Sequence, residues 1–288
     1  MATAATDTIE VVPSGAPLGA DVRGVDLRRV DDEAFALIHQ AWLDYKVLRF
    51  RGQMLDDNAL ADFSRRFGEL DMAPTGRGGR PFQPDRPEVT VISNIVVDGK
   101  PIGGLGAGEA EWHSDMSYNE IPPDGSLLYG IEVPEGHGDT WFADMAAAYE
   151  ALPEAMRERL AGLTCKHDAT RNSTGELRTG YAAHYSPEEL PGAIHPMVRT
   201  HPETGRKALF LGRRRNAYVM GLSVEESDRL LDQLWVFCTR PQFVWIQRWK
   251  KGDAVLWDNR CVLHRRDPFE PSLRRLMHRT QIKGTRPF

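Results

Sequence analysis

Hydrophobic and polar positions along this chain change period repeatedly, in short blocks. Ile9 to Val12 predicts a short opening strand. From Asp31 to Trp42 the apolar residues Phe35, Ile38 and Trp42 recur at helical spacing, with Asp31 or Asp32 as the N-cap. Tyr45 to Phe50 alternates as a half-buried strand does, and Asp56 to Phe67 predicts a second helix stopped by Gly68. Residues 72–87 are rich in Pro and Gly without periodicity and predict a long loop. Strands are expected at Val89–Ile92 and Ser126–Ile131, then a helix over Met145–Leu160 broken at Pro153. Residues 167–195 are polar and irregular. A strand at Ala208–Leu211 and an amphipathic helix at Val224–Thr239 precede three closing strands, Phe243–Trp249, Ala254–Trp257 and Arg275–Ile282. Short strands between Gly/Pro turns, with a few inserted helices, predict a mainly β chain with helical decoration, a double-stranded β-helix or jelly-roll barrel. The two irregular stretches, 72–87 and 167–195, are expected as lids, because long structureless loops in compact domains are often functional.

Composition narrows the class. No linker or composition break divides the 288 residues, so one domain is expected over 1–288. A net charge of −5 lacks the basic field of a nucleic-acid binder. The three cysteines (Cys165, Cys238, Cys261) are widely spaced and lack a C-x-x-C pattern, which fits neither a disulfide framework nor a zinc site. No leader pattern and no apolar run of membrane-spanning length are visible, so the expected location is the cytoplasm.

The chemistry concentrates at His113-Ser114-Asp115 and a distant His264. Residues two apart on a strand point to one face, so His113 and Asp115 are expected to project together from one strand, with His264 arriving from another. Two imidazoles and one carboxylate form the ligand set that suits Fe(II) and leaves three coordination positions open. A lone histidine is more often a satisfied structural residue. The flanking residues reverse that reading: Trp112 before the motif, Gly138-Asp139-Thr140 after it, and Trp257-Asp258-Asn259-Arg260 ahead of His264.

Over nearly its whole length the chain resembles the taurine dioxygenase / 2,4-dichlorophenoxyacetate dioxygenase family of Fe(II)- and 2-oxoglutarate-dependent oxygenases. The likeness runs, in order, through Gly19-Ala20-Asp21-Val22, Arg66-Phe67-Gly68-Glu69-Leu70, Trp112-His113-Ser114-Asp115, Gly138-Asp139-Thr140, His195 to Pro202, Trp257 to Arg260 with His264, and Arg274 to Arg279. The resemblance implies His113, Asp115 and His264 as iron ligands. It implies Arg275, eleven residues beyond His264, and Thr140 as the partners of the distal carboxylate of 2-oxoglutarate. A planar guanidinium pairs bidentately with a carboxylate, and a hydroxyl adds one directional bond. Asp258 and Asn259 are expected to support the ligands rather than react.

The same resemblance implies a dioxygenase that consumes O₂ and 2-oxoglutarate, releases succinate and CO₂, and hydroxylates a C–H of a small anionic organic substrate. Sulfonates, sulfate esters and aryloxy acids are the expected classes. The Asp115 carboxylate argues for hydroxylation or desaturation over halogenation. Arg279 falls where the family holds a substrate anion. Ala73 stands where the taurine enzyme has a histidine, and alanine offers no hydrogen bond, so taurine selectivity is not expected. Met116 and Asn94 are further candidates for substrate contact, and Tyr118, His167 and Tyr218 for the pocket wall. Arg77, Arg80 and Arg213-Arg214-Arg215 read either as a solvated face or as an anion-attracting rim. His39, His137 and His184 are assigned to surface or structure. A homodimer or homotetramer is expected from the family, with no nucleic-acid or membrane partner. Three rivals stay open: a biosynthetic hydroxylase of an amino acid or natural product, a non-redox metal-binding barrel, and a zinc hydrolase, which would lack an acid–base Glu beside its ligands.

Overall fold

The computed structural model describes residues 9–73, 83–182, 184–212 and 216–288. Two sheets dominate it. The strands that build them are β1 (Glu10–Pro13), β2 (Ala20–Arg23), β3 (Val47–Phe50), β4 (Thr90–Ser93), β5 (Gly104–Leu105), β6 (Ala110–His113), β7 (Gly125–Glu132), β8 (Thr140–Asp144), β9 (Val244–Gln247), β10 (Ala254–Asp258), β11 (Val262–Arg266) and β12 (Leu276–Ile282). The larger sheet is eight-stranded, in the order β1-β2-β3-β10-β7-β12-β4-β5, and the smaller is four-stranded, in the order β9-β8-β11-β6. Pairing is antiparallel except for β2 with β3 and β4 with β5. The helices are α1 (Asp32–Tyr45), α2 (Asp57–Arg65), α3 (Met145–Glu150), α4 (Glu154–Leu160) and α5 (Val224–Cys238).

The larger sheet is covered on both faces, which explains its nearly continuous apolar central strands. Along β10, Ala254 and Leu256 pack with Ile38, Trp42, Leu60 and Phe63 of α1 and α2. Val255 and Trp257 point the other way, into a second core shared with Phe142 and Val262 of the smaller sheet and with Leu230, Leu231 and Leu234 of α5. Ring contacts tie the two sheets directly, with Phe142 5.6 Å and His264 4.8 Å from Trp257 between ring centroids. The mainly β character expected from the sequence is therefore present, as two sheets packed face to face and flanked by helices.

Local chemistry sets the element ends. Asp31 caps α1 by accepting from the Ala34 N–H at 2.8 Å, and Asp56 caps α2 through Ala59 at the same distance. Helix α1 runs on through Tyr45, so the strand expected from Tyr45 begins at Val47. The helix is closed by Lys46 in the left-handed region (φ 64°), an unusual place for a non-glycine residue. The Lys46 ammonium is buried and pairs with Asp144 at 2.9 Å, which fixes a backbone conformation that propensity alone would not choose. Ser223 and Glu226 form a reciprocal capping box on α5. Pro153 separates α3 from α4 as its missing N–H requires.

Of the irregular segments, Arg77, Arg80 and Arg213 to Arg215 lie outside the described residues, as does most of the tip of the 72–87 loop. The 167–195 segment is described except at position 183, and it is tied to the turn that follows β6. Ala193 N–H donates to the Tyr118 carbonyl at 3.0 Å, His195 Nε2 lies 2.9 Å from the Asn119 carbonyl, and Arg178 stacks 4.3 Å over the Tyr118 ring. Among the described residues no helix is long and apolar enough to cross a membrane.

Candidate active site

The smaller sheet brings the expected ligands together. His113 ends β6 and His264 sits mid-strand on β11, and the two are register partners across the antiparallel pair. Directly opposed residues share a face, so the imidazoles meet with ring centroids 4.1 Å apart. Asp115 arrives differently from the sequence expectation. Strand β6 stops at His113, and Ser114-Asp115 turn away from it, with Met116 in the left-handed region (φ 46°). The carboxylate converges because Asn259 latches the turn. Its Oδ1 accepts from the Asp115 N–H at 2.7 Å, and its Nδ2 donates to the carbonyls of Asp115 (3.0 Å) and Pro123 (2.8 Å). As a result Asp115 Oδ1 lies 3.7 Å from His113 Nε2 and 3.8 Å from His264 Nε2, and all three residues are buried.

Protonation favours metal ligation. His113 Nδ1 lies 2.6 Å from the Glu111 carbonyl, a contact that requires the proton on Nδ1 and turns Nε2 toward Asp115. Burial, with His113 and Arg279 adding to it, pushes His264 down to about 3, so the ring is neutral at physiological pH. Burial alone would raise Asp115, but the Arg279 guanidinium against its two oxygens outweighs burial and holds the carboxyl well below its ordinary value. Two imidazole nitrogens and one carboxylate, converging in a buried pocket, fit a divalent first-row metal. A second buried group, His201, Asp258 and Cys261, has similar spacing. There Asp258 is already held by Arg260 (2.8 and 2.7 Å) and His201 (2.9 Å), and burial raises the Cys261 thiol, so it braces the loop that carries Asn259.

Thr140 and Arg275 also lie inside. Trp249 Nε1 donates to Thr140 Oγ1 at 2.9 Å, which orients the hydroxyl and leaves its proton to donate elsewhere. The Arg275 guanidinium is 2 % exposed and has no hydrogen bond or ion pair among the described residues. Burial, with Arg266 nearby, holds its pKa well below the ordinary value. Gly138 (φ 65°) makes room beside it, since a Cβ there would stand 3.1 Å from Phe269.

The remaining candidates divide. Arg279 reaches the centre and donates to both Asp115 oxygens at 2.9 and 3.0 Å. Asn94 commits its amide to backbone, donating to Pro271 and Leu273 carbonyls (3.1 and 2.7 Å) and accepting from the Arg275 N–H at 2.9 Å; it braces the approach to Arg275. Ala73 closes the base of its loop through a 2.8 Å bond to the Pro87 carbonyl, and the adjoining Asp71 N–H donates to Gln281 on β12. The Tyr218 hydroxyl is spent on the Leu222 carbonyl at 2.6 Å, and His167 packs against His195 and Phe210. Sequence reasoning missed Ser126, which donates to Asp115 Oδ2 at 2.9 Å, and it missed Arg266. For Arg266 a signal existed, because it stands two residues beyond His264 and so faces the same way on a strand.

The family model described as "Taurine catabolism dioxygenase TauD, TfdA family" matches residues 10–281. The chain belongs to that family. It is 33 % identical over 291 residues to the (S)-phenoxypropionate/alpha-ketoglutarate-dioxygenase of Delftia acidovorans, covering 96 % of both chains. It is 38 % identical over 247 residues to the alpha-ketoglutarate-dependent 2,4-dichlorophenoxyacetate dioxygenase of a Burkholderia species, covering 83 % of this chain and 82 % of that one. Among solved structures, AAD-2 in complex with Mn(II) and N-oxalylglycine superposes with a TM-score of 0.78 at 30 % identity, over 97 % of this chain and 98 % of that one.

Proposed function

We propose that this protein is an Fe(II)- and 2-oxoglutarate-dependent dioxygenase that hydroxylates the ether-bearing carbon of an aryloxy carboxylic acid. The buried convergence of His113, Asp115 and His264 carries the reading, and the named relatives supply the substrate class. The family match over residues 10–281 supports one catalytic domain, and the two facing sheets support its jelly-roll assignment. His113, Asp115 and His264 would hold the iron through two nitrogens and one oxygen. When bound, the iron supplies O₂ activation, with 2-oxoglutarate giving up two electrons and leaving as succinate and CO₂.

The residues around the triad do the positioning. Thr140 and Arg275 receive the distal carboxylate of 2-oxoglutarate, the hydroxyl as an oriented donor and the guanidinium as a buried cation awaiting an anion. Arg279 offers its charge to the substrate carboxylate, exchanging part of its contact with Asp115. Phe142 and Trp257 close the apolar side against His264 and exclude water. Hydroxylation at the ether carbon yields a hemiketal-type product that collapses to a phenol and an oxo acid.

Anaerobic addition of Fe(II) and 2-oxoglutarate is expected to give a weak visible charge-transfer band, lost in His264→Ala. On admitting O₂, succinate release is expected to be faster with aryloxyalkanoates than with taurine. Absence of both band and succinate would refute the assignment.

A further inference from the structure

We propose that Arg266 is a second cation of the 2-oxoglutarate pocket, a positioning residue that shares the dicarboxylate with Arg275; this rests on the dioxygenase reading above. Arg266 and Thr140 are directly opposed register partners on β11 and β8, so their side chains share one face, and His264 lies on that face two residues earlier. The Phe269 ring links the two guanidinium groups, its centroid 5.4 Å from Arg266 Cζ and 6.0 Å from Arg275 Cζ. Arg266 is 6 % exposed. Its Nη2 donates to the carbonyls of Leu105 (3.1 Å) and Gly108, while its Nε is fully buried with no partner among the described residues.

No carboxylate pairs with either guanidinium among the described residues. Two buried like charges beside one ring, one with an orphaned donor, form an arrangement that an isolated fold would not favour. An incoming dianion relieves it. The pocket is thus charged in advance for a ligand with two carboxylates, and Arg266 also ties the β5 loop to that pocket through its carbonyl bonds.

The test uses the full chain loaded with Mn(II), comparing wild type with Arg266→Met and Arg266→Lys. 2-Oxoglutarate binding is measured by calorimetry, Mn(II) affinity by the free-ion EPR signal, and stability by denaturant unfolding without ligand. Arg266→Met is expected to bind 2-oxoglutarate about 10- to 100-fold more weakly. Its Mn(II) affinity should be unchanged, while its unfolding midpoint should fall modestly, because the Leu105 and Gly108 carbonyls lose their donor. Arg266→Lys, which keeps the charge without the planar fork and folds if Met does not, should fall between. Wild-type-like 2-oxoglutarate binding in both variants would overturn the assignment alone. A parallel loss of Mn(II) binding and stability would overturn it in favour of a purely structural arginine. A wild-type protein that binds Mn(II) but no 2-oxoglutarate would overturn the dioxygenase reading and this assignment together.

Discussion

Asn259 should control the metal centre without touching the metal. In Asn259→Ala, three buried hydrogen bonds disappear, of 2.7, 3.0 and 2.8 Å, leaving the Asp115 N–H and the Asp115 and Pro123 carbonyls without partners. Each buried bond contributes about 1 kcal/mol net, and a stranded buried donor or acceptor costs about 1–3 kcal/mol. Partial relaxation and water entry offset some of this, so a loss of about 3 kcal/mol is expected. The local effect should be larger than the global one suggests. Asp115 lies beyond the end of β6, so the latch alone fixes its backbone, and Arg279 and Ser126 can hold the carboxylate only where that backbone places it. Loss of a residue that orients a ligand typically weakens metal affinity about 10- to 100-fold. Urea unfolding of the metal-free protein gives the first quantity, and Mn(II) titration by EPR the second. Asn259→Asp separates the parts, because it keeps the acceptor for the Asp115 N–H and loses both donors. An Asn259→Ala protein with wild-type metal affinity would refute the view that this amide places Asp115, whatever its stability.

Three further outcomes can be checked. Arg279→Ala should raise KM for aryloxy acids about 10- to 100-fold, with partial recovery in Arg279→Lys, read from substrate-dependent succinate release; an unchanged KM would remove Arg279 from substrate binding. Burial works to raise the Asp258 carboxyl, but Arg260 and His201 outweigh it and hold its pKa well below the ordinary value. A depressed folded-state pKa adds stability above the unfolded value near 3.9 that fades as pH falls through the folded one. Asp258→Asn should therefore cost about 3–5 kcal/mol at pH 7 and progressively less below about pH 4 in denaturant titrations; a pH-independent difference would contradict the charge pairing. Burial pushes Cys165 and Cys238 up to about 12 and raises Cys261 well above its ordinary value. A thiol reagent should label none of the three in the folded protein and all of them in denaturant; rapid labelling of the native chain would contradict their placement.

The chain's own residues pointed to the candidate ligand types, their order and the helices. Phe35, Ile38 and Trp42 marked α1, Asp31 its cap, and Val224–Thr239 marked α5 to within one residue, because amphipathic period and capping are local effects. The smaller sheet was much less legible. Strands β6, β8 and β11 are short, and β11 carries His264, Arg265 and Arg266, whose polarity hides the strand that holds them. Only long-range pairing put His113 opposite His264 and Thr140 opposite Arg266. The Asn259 latch, from a residue 144 positions away, turned Asp115 back toward the imidazoles after β6 had ended, with Arg279 and Ser126 holding the carboxylate. The tertiary structure also decided which polar candidates were free to act. It spent Asn94 and Tyr218 on backbone carbonyls, put Arg279 on Asp115, and buried Arg275 with no carboxylate beside it among the described residues. Ligand chemistry is a property of side chains and can be read from their identities. Convergence, and the cost of an unpaired buried charge, exist only once distant segments share one low-dielectric space.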